Sequence, residues 1–389
     1  MIENDPRRRD FNAIVQSQST VAGNYGGLLQ AYSLQRTLRD LGVSAETNSW
    51  GRMRPSLRSF ASSAKALVRD QTLDRRIPGR MKNAVGEQLI AFAEKNMELP
   101  LRPYSGRKLQ NYVWRSKPRF LIAGSDQVWR PRYSNVLQGA FDFPIPPGTK
   151  RIAYAASFGL DNASEFDAPL NAKFGRALRS FDAVSVREDS GVTVCSEEWG
   201  VPATQVLDPT MLLDVTHWNR HADGAPELVL EHGAIASLLL DENDEISDRV
   251  RALANAMGLP VQSFYPPVLT SRRAFRSDPT KFILPSVGRW LGTIKHSKLV
   301  ITDSFHVTVF CILFHTPFWT VSNNVRGNAR LRSLTQMFGL EEQLLPDEAL
   351  GEDTGVPSID WEQVDHMLEV WRDRSWAFLL DALGLDEVS

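Results

Sequence analysis

The chain has 389 residues, more than one hydrophobic core usually supports, so two domains are expected. Aliphatic and aromatic residues make up 42% and charged residues 23%, an ordinary globular composition that excludes wholesale disorder. A formal net charge of -2 excludes the strongly basic balance of a nucleic-acid-binding domain, and the two cysteines, Cys195 and Cys311, form no CxxC pair, which argues against a disulfide framework or a zinc site and suits a reducing cytosol.

The N-terminal MIENDPRRRD has no apolar stretch after its arginines, and the longest apolar run, Val307 to Phe314, is too short to span a bilayer. A cytoplasmic protein is therefore expected. Phe11 to Val15 predicts a first strand, followed by the loop QSQSTVAGNYGG. Leu28, Ala31, Leu34, Leu38 and Leu41 recur at helical spacing, with Gly42 as the predicted cap. Asn24, Tyr25 and Gly26 then lie where a ligand would meet the helix N-terminus, or form only a glycine-bearing turn. The spacing is neither GxGxxG nor a P-loop.

Residues 52–82 carry nine Lys/Arg against Asp70 and Asp74, a local excess of +7. An amphipathic basic helix there would have an ordinary solvated face, or would lie on an anionic inner membrane surface or face an acidic, lipid-linked substrate. Phe120 to Ala123 is a short apolar run of the kind a buried parallel strand needs, and it ends in Ser125, Asp126 and Gln127. Arg151 to Ser157 predicts another strand, ending at Ser157-Phe158-Gly159. A helix over 168–181 precedes the strand at 183–186, which delivers Arg187, Glu188 and Asp189, and Asp208-Pro209 closes the short segment after it.

Residues 216–231 lack apolar periodicity and are expected to link the domains. Alternation then resumes with a strand at 234–240, a helix at 245–257, a strand at 261–265 and a helix capped by Ser286. Leu299 to Phe318 reads as strand, turn and helix, with Asp303, Ser304 and His306 at the turn. Polar loop residues 322–330 and an amphipathic helix over 361–383 complete the chain. Strands that end repeatedly in polar residues predict an α/β protein of two Rossmann-like domains facing a cleft, GT-B-like, with one long doubly wound sheet as the alternative. The expected division is 1–215, 216–350 and a C-terminal helical segment, 351–389, that could return to the first domain.

Six blocks resemble the polysaccharide pyruvyl transferase family in their order: NYGGLLQAYSLQ (24–35), FLIAGSDQVW (120–129), RIAYAASFG (151–159), AVSVRE (183–188), VLDPTMLL (206–213) and VITDSFHVTVFCILFHTPF (300–318). The resemblance implies a GT-B-like fold and transfer of a pyruvyl group from phosphoenolpyruvate (PEP) to hydroxyls of a polysaccharide or its lipid-linked precursor, forming a ketal and releasing phosphate. PEP is then a donor substrate, with no cofactor expected. By the same resemblance Arg187 and His306 match residues associated with PEP. Some relatives carry an Arg two places before the His; Ser304 stands there, which leaves Arg330, Arg326 or Lys298 as the second cation, with Arg330 best placed by motif order.

The chemistry needs these residue types. PEP joins a phosphate and a carboxylate, so arginine forks and helix N–H groups must converge on it. His306 is the expected acid, Arg187 the charge stabiliser, and Asp126 or Asp303 would orient an acceptor hydroxyl. Asp126 is equally well explained as an N-cap for a helix starting at Gln127. Trp129, Phe158 and Phe305 are candidates to stack on a sugar or are core residues. The competing functions are a GT-B nucleotide-sugar glycosyltransferase and a non-catalytic carbohydrate-binding relative.

Overall fold

Two parallel sheets organise the described residues of the computed structural model, which are 12–18, 23–49, 84–100, 104–224, 233–240, 244–266, 272–322 and 328–385. The first sheet comprises β1 (Ala13–Ser17), β2 (Ala45–Ser49), β3 (Phe120–Ala123), β4 (Lys150–Ala156), β5 (Ala183–Val186) and β6 (Thr204–Gln205), in the order β2-β1-β3-β4-β5-β6. The second comprises β7 (Ile235–Leu238), β8 (Val261–Ser263), β9 (Leu299–Thr302), β10 (Phe318–Val321) and β11 (Leu344–Leu345), in the order β11-β10-β9-β7-β8. The strand order reverses between β1 and β3 and between β7 and β9. Ligands in open α/β sheets bind beyond the carboxyl ends of strands at such points. The basic segment 52–82 lies outside the described residues.

Helix α1 (Tyr25–Asp40) begins where the Asn24 side chain accepts from the Gly27 N–H, and the chain leaves it through Gly42 at φ 76°. Its following helices are α2 (Glu87–Asn96), α3 (Arg107–Ser116), α4 (Ala168–Leu178) and α5 (Asp189–Trp199). The expected irregular link over 216–231 is, in its first half, a helix, α6 (Val215–Asp223), capped by Asp214. Only Trp218 and Ala222 form its buried stripe, too few positions to show periodicity in the sequence. The second domain adds α7 (Asp244–Met257), α8 (Val287–His296), α9 (Phe305–Phe314) and α10 (Ala329–Phe338). Residues Phe305 to Leu313 of α9 are all buried, which accounts for that helix's lack of a polar face. His315 ends it in the left-handed region, at φ 53°.

One apolar cluster crosses between the sheets. It joins Tyr25, Leu28 and Leu29 of α1 to Trp290 of α8, Phe310 of α9 and Leu334 of α10. Tyr25 stacks on Trp290 at 5.0 Å and 6° and donates its hydroxyl to the Pro285 carbonyl at 2.6 Å. The final helix, α11 (Trp361–Leu383), spans both domains: Val364 and Leu368 join this cluster, while Leu379, Ala382 and Leu383 pack beneath Ala13 and Val15. Ser375 and Arg372 hold it there, accepting from the Leu207 N–H at 2.9 Å and donating to the Met211 carbonyl at 2.7 Å respectively. Among the described residues no helix is long and apolar enough to cross a membrane.

Candidate active site

Both sheets direct strand ends at one interface. From the first come Asp126 after β3, Arg187 and Glu188 after β5 and Asp208 after β6; from the second come His306, two residues into α9, and Arg330 on α10. Arg187 is 3% exposed. Its Nη1 donates to Asp208 Oδ2 at 2.9 Å, its Nη2 lies 3.5 Å from Asp126 Oδ1, and its guanidinium carbon sits 4.1 Å from the centre of the Phe305 ring. Nε and Nη2 of Arg187 make no hydrogen bond among the described residues. Burial works against the arginine's charge, but Asp208, Asp126 and Glu188 hold its proton above the ordinary arginine range.

Asp208 is the hub. Its Oδ1 accepts from the Thr210 N–H at 3.0 Å and hydroxyl at 2.7 Å, and its Oδ2 takes Arg187. His306 Nε2 stands 3.5 Å from the same Oδ2, buried and without a hydrogen-bond partner among the described residues. Burial alone would raise the Asp208 carboxyl, yet His306, Arg187 and the Thr210 N–H together hold it far below the ordinary carboxylate range. The other edge of the imidazole meets α1: a Cβ built on Gly26 would come 2.1 Å from His306 Nδ1. Only glycine lets the two domains close to that distance.

Arg330 is half-buried and meets Gln127. With the Gln127 amide oxygen facing it, the orientation that hydrogen bonding assigns, that oxygen accepts from Nη2 at 2.8 Å and from Nε at 2.9 Å. Burial first, and Arg187 second, push the guanidinium down to about 10. Arg330 therefore lies near Arg187 with a neutral amide as its partner, while Arg187, paired with Asp208, keeps Nε and Nη2 without a hydrogen bond among the described residues. A cavity of about 10 Å³ lies behind Arg187 and Phe305, against Leu207, Met211, Leu334 and Met337.

Two backbone irregularities shape the first domain's side. Asp126 has φ 68°, which aspartate tolerates, and forms a bridge to Ala156. The predicted alternative for this residue, an N-cap at Gln127, is not realised because the chain turns there instead of starting a helix. Ala155, at φ 50°, accompanies a register shift in β4, after which the Phe158 and Gly159 N–H groups and the Ser157 hydroxyl all donate to Glu188 Oε1, at 2.7, 2.9 and 2.9 Å. Glu188 thus braces the loop beside Arg187.

The residues expected from sequence divide into three groups. Arg187, His306, Asp126, Gln127 and Arg330 come together, and Gly26 borders them. Asn24 uses its side chain as the α1 cap, and Tyr25 is spent on Trp290 and Pro285. Ser125 donates to Gln30 at 2.5 Å, Ser157 to Glu188, and Asp303 accepts from the Leu240 N–H at 2.7 Å, so these three hold loops in place. Ser304, half-buried at the start of α9, does not cap it with its side chain. Lys298 precedes β9 and so sits at the opposite strand end from His306, while Arg326 lies outside the described residues. Trp129 and Phe158 are buried in the first domain's core, which removes them as sugar platforms; Phe305 instead covers Arg187. Asp208 was legible as a segment end and as part of the resembling block 206–213, with no role of its own. Its signal was its place after a short β6, the same strand-end rule that selected Arg187.

Among the described residues no group of three or more His, Cys, Asp or Glu could hold a metal ion. Two Rossmann-like domains with a site of paired arginines and carboxylates between them define a GT-B-like α/β protein. The polysaccharide pyruvyl transferase family model matches residues 24–325, and the chain belongs to that family. No curated protein sequence matches it. Solved structures with a similar fold include a UDP-N-acetylglucosamine 2-epimerase of Listeria monocytogenes, at 9% identity over 96% of this chain and 97% of that one with TM-score 0.52. Another is the UDP-N-acetylglucosamine 2-epimerase of Rickettsia bellii, at 10% identity over 96% and 97% with TM-score 0.50.

Proposed function

We propose that this chain transfers the pyruvyl group of PEP to two hydroxyls of a sugar acceptor, an oligosaccharide or its lipid-linked precursor, and releases phosphate. The observation that carries the proposal is the pair of neighbouring arginines. Arg187 has buried donors without hydrogen-bond partners, and Arg330 has no carboxylate within ion-pair distance among the described residues. Burying unspent cationic donors costs free energy unless an anion completes them. PEP brings two anionic groups, a phosphate and a carboxylate, one for each guanidinium fork.

The reaction asks little else of the protein. A proton passes to the PEP methylene carbon while one sugar hydroxyl adds to the neighbouring carbon. A second hydroxyl then bonds to that carbon as its bond to the phosphate oxygen breaks, leaving a cyclic ketal. One hydroxyl proton offsets the proton given to the methylene, and the other leaves with phosphate. In this scheme His306 is the acid, Arg187 and Arg330 bind and stabilise the donor's charges, and Asp126 orients an acceptor hydroxyl.

Thermal-shift titration separates this reading from a nucleotide-sugar glycosyltransferase: PEP should stabilise the protein, and a uridine diphosphate sugar should not. His306→Ala should abolish phosphate release while retaining part of the PEP affinity, whereas Arg187→Ala should weaken PEP binding itself. Full turnover by the His306→Ala protein would end the acid assignment.

A further inference from the structure

We infer that Asp208 is a positioning residue of this site, setting the His306 imidazole of the second domain against the Arg187 guanidinium of the first. The inference rests on the donor reading above for its kinetic consequence, and on geometry alone for the contact itself. One carboxylate oxygen, Oδ2, faces both groups, at 2.9 Å from Arg187 Nη1 and 3.5 Å from His306 Nε2. The other oxygen is fixed twice by Thr210, so the carboxylate cannot swing away with either partner. Asp208 is 2% exposed, so water screens its charge little.

His306 is carried by α9 but oriented by the first domain on both edges. Gly26 closes on Nδ1, and Asp208 stands opposite Nε2. A ring set between two groups of the other domain keeps that orientation only when the domains are packed as they are here. Asp208 also has a second effect. It places a fixed negative charge beside the donors assigned to an anionic substrate, so it opposes substrate binding while it aligns the acid. A residue that only stabilises the fold would not produce that opposition.

Asp208→Asn keeps the shape and an oxygen for Thr210 but removes the charge. The expected result is a kcat at least tenfold lower with a KM for PEP that is unchanged or reduced. Thr210→Val, which loosens the carboxylate without discharging it, should lower kcat by a smaller factor and leave KM for PEP near wild type; it also serves if Asp208→Asn does not fold. A rise in KM with kcat retained, in whichever of the two variants folds, would overturn the inference. Melting of the free protein supplies a readout independent of donor: in a cycle of Asp208→Asn, His306→Gln and the double variant, the separate losses in Tm should exceed the combined loss by about 2 °C or more. Additive losses would overturn the contact. Failure of the wild type to bind or turn over PEP would remove the donor reading alone, and the melting cycle would still decide the role of Asp208.

Discussion

Replacing Gly26 by alanine puts a methyl group where the His306 ring already lies, 2.1 Å from Nδ1. The imidazole or α1 must move, so the variant should lose about 1–3 kcal/mol of stability and most of its turnover. Urea unfolding and phosphate release, measured together, check this. A second prediction concerns Glu46, buried near Tyr112 and Glu98, whose carboxyl is pushed up to about 7, first by burial and then by Glu98 against the Tyr112 hydrogen bond. Below pH 4.5 both folded and unfolded forms hold the proton; as pH rises toward 7 only the unfolded chain releases it, and stability falls. Glu46→Gln should therefore raise Tm at pH 8 and change it little at pH 4. At this scale the sequence showed Arg187, His306 and Arg330 through motif order and strand ends. It could not show that Ser125 and Ser157, in equivalent positions, are consumed by Gln30 and Glu188, because those partners are distant in the chain.

Helices and strands divide by how they bury themselves. β3, β5 and β9 were legible because parallel strands covered on both faces need unbroken apolar runs. β2, with the sequence Ala-Glu-Thr-Asn-Ser, was not, since its burial depends on side-chain partners such as the Gln16–Asn48 pair at 2.7 Å. Helix α6 illustrates a further element-level effect. Its His217 stacks beside Tyr32 of α1 and its Nε2 pairs with the Tyr32 hydroxyl at 2.9 Å. Burial first, then His221, hold His217 down at about 4. Between pH 6.5 and 4 the unfolded chain binds a proton that the folded one refuses, so stability should decline as pH falls through that window. His217→Gln should flatten the acid side of the Tm profile; an unchanged profile would contradict the account of this contact. Leu379→Ala, at the buried end of α11, should cost about 2–5 kcal/mol in unfolding measurements, because that helix end lies in the first domain's core.

The molecule as a whole couples its domains through a shared apolar core. Tyr25–Trp290 stacking, the α1–α9 approach at Gly26 and the path of α11 join the two sheets through packed contacts among the described residues. Calorimetry should accordingly show one unfolding transition rather than two. The alternation of strands and helices made two Rossmann-like domains readable in the sequence. Their mutual placement was not, because no local pattern records which residue of one domain will stack on the other. That placement creates the site, bringing Arg187 and Asp208 to His306 and Arg330. The most direct test supplies PEP and a panel of lipid-linked and free oligosaccharides to the wild-type protein and follows phosphate release together with the mass of the acceptor. Phosphate release coupled to an acceptor gaining one pyruvyl ketal is the predicted result. PEP left intact with every acceptor, while a nucleotide sugar is consumed, would contradict it.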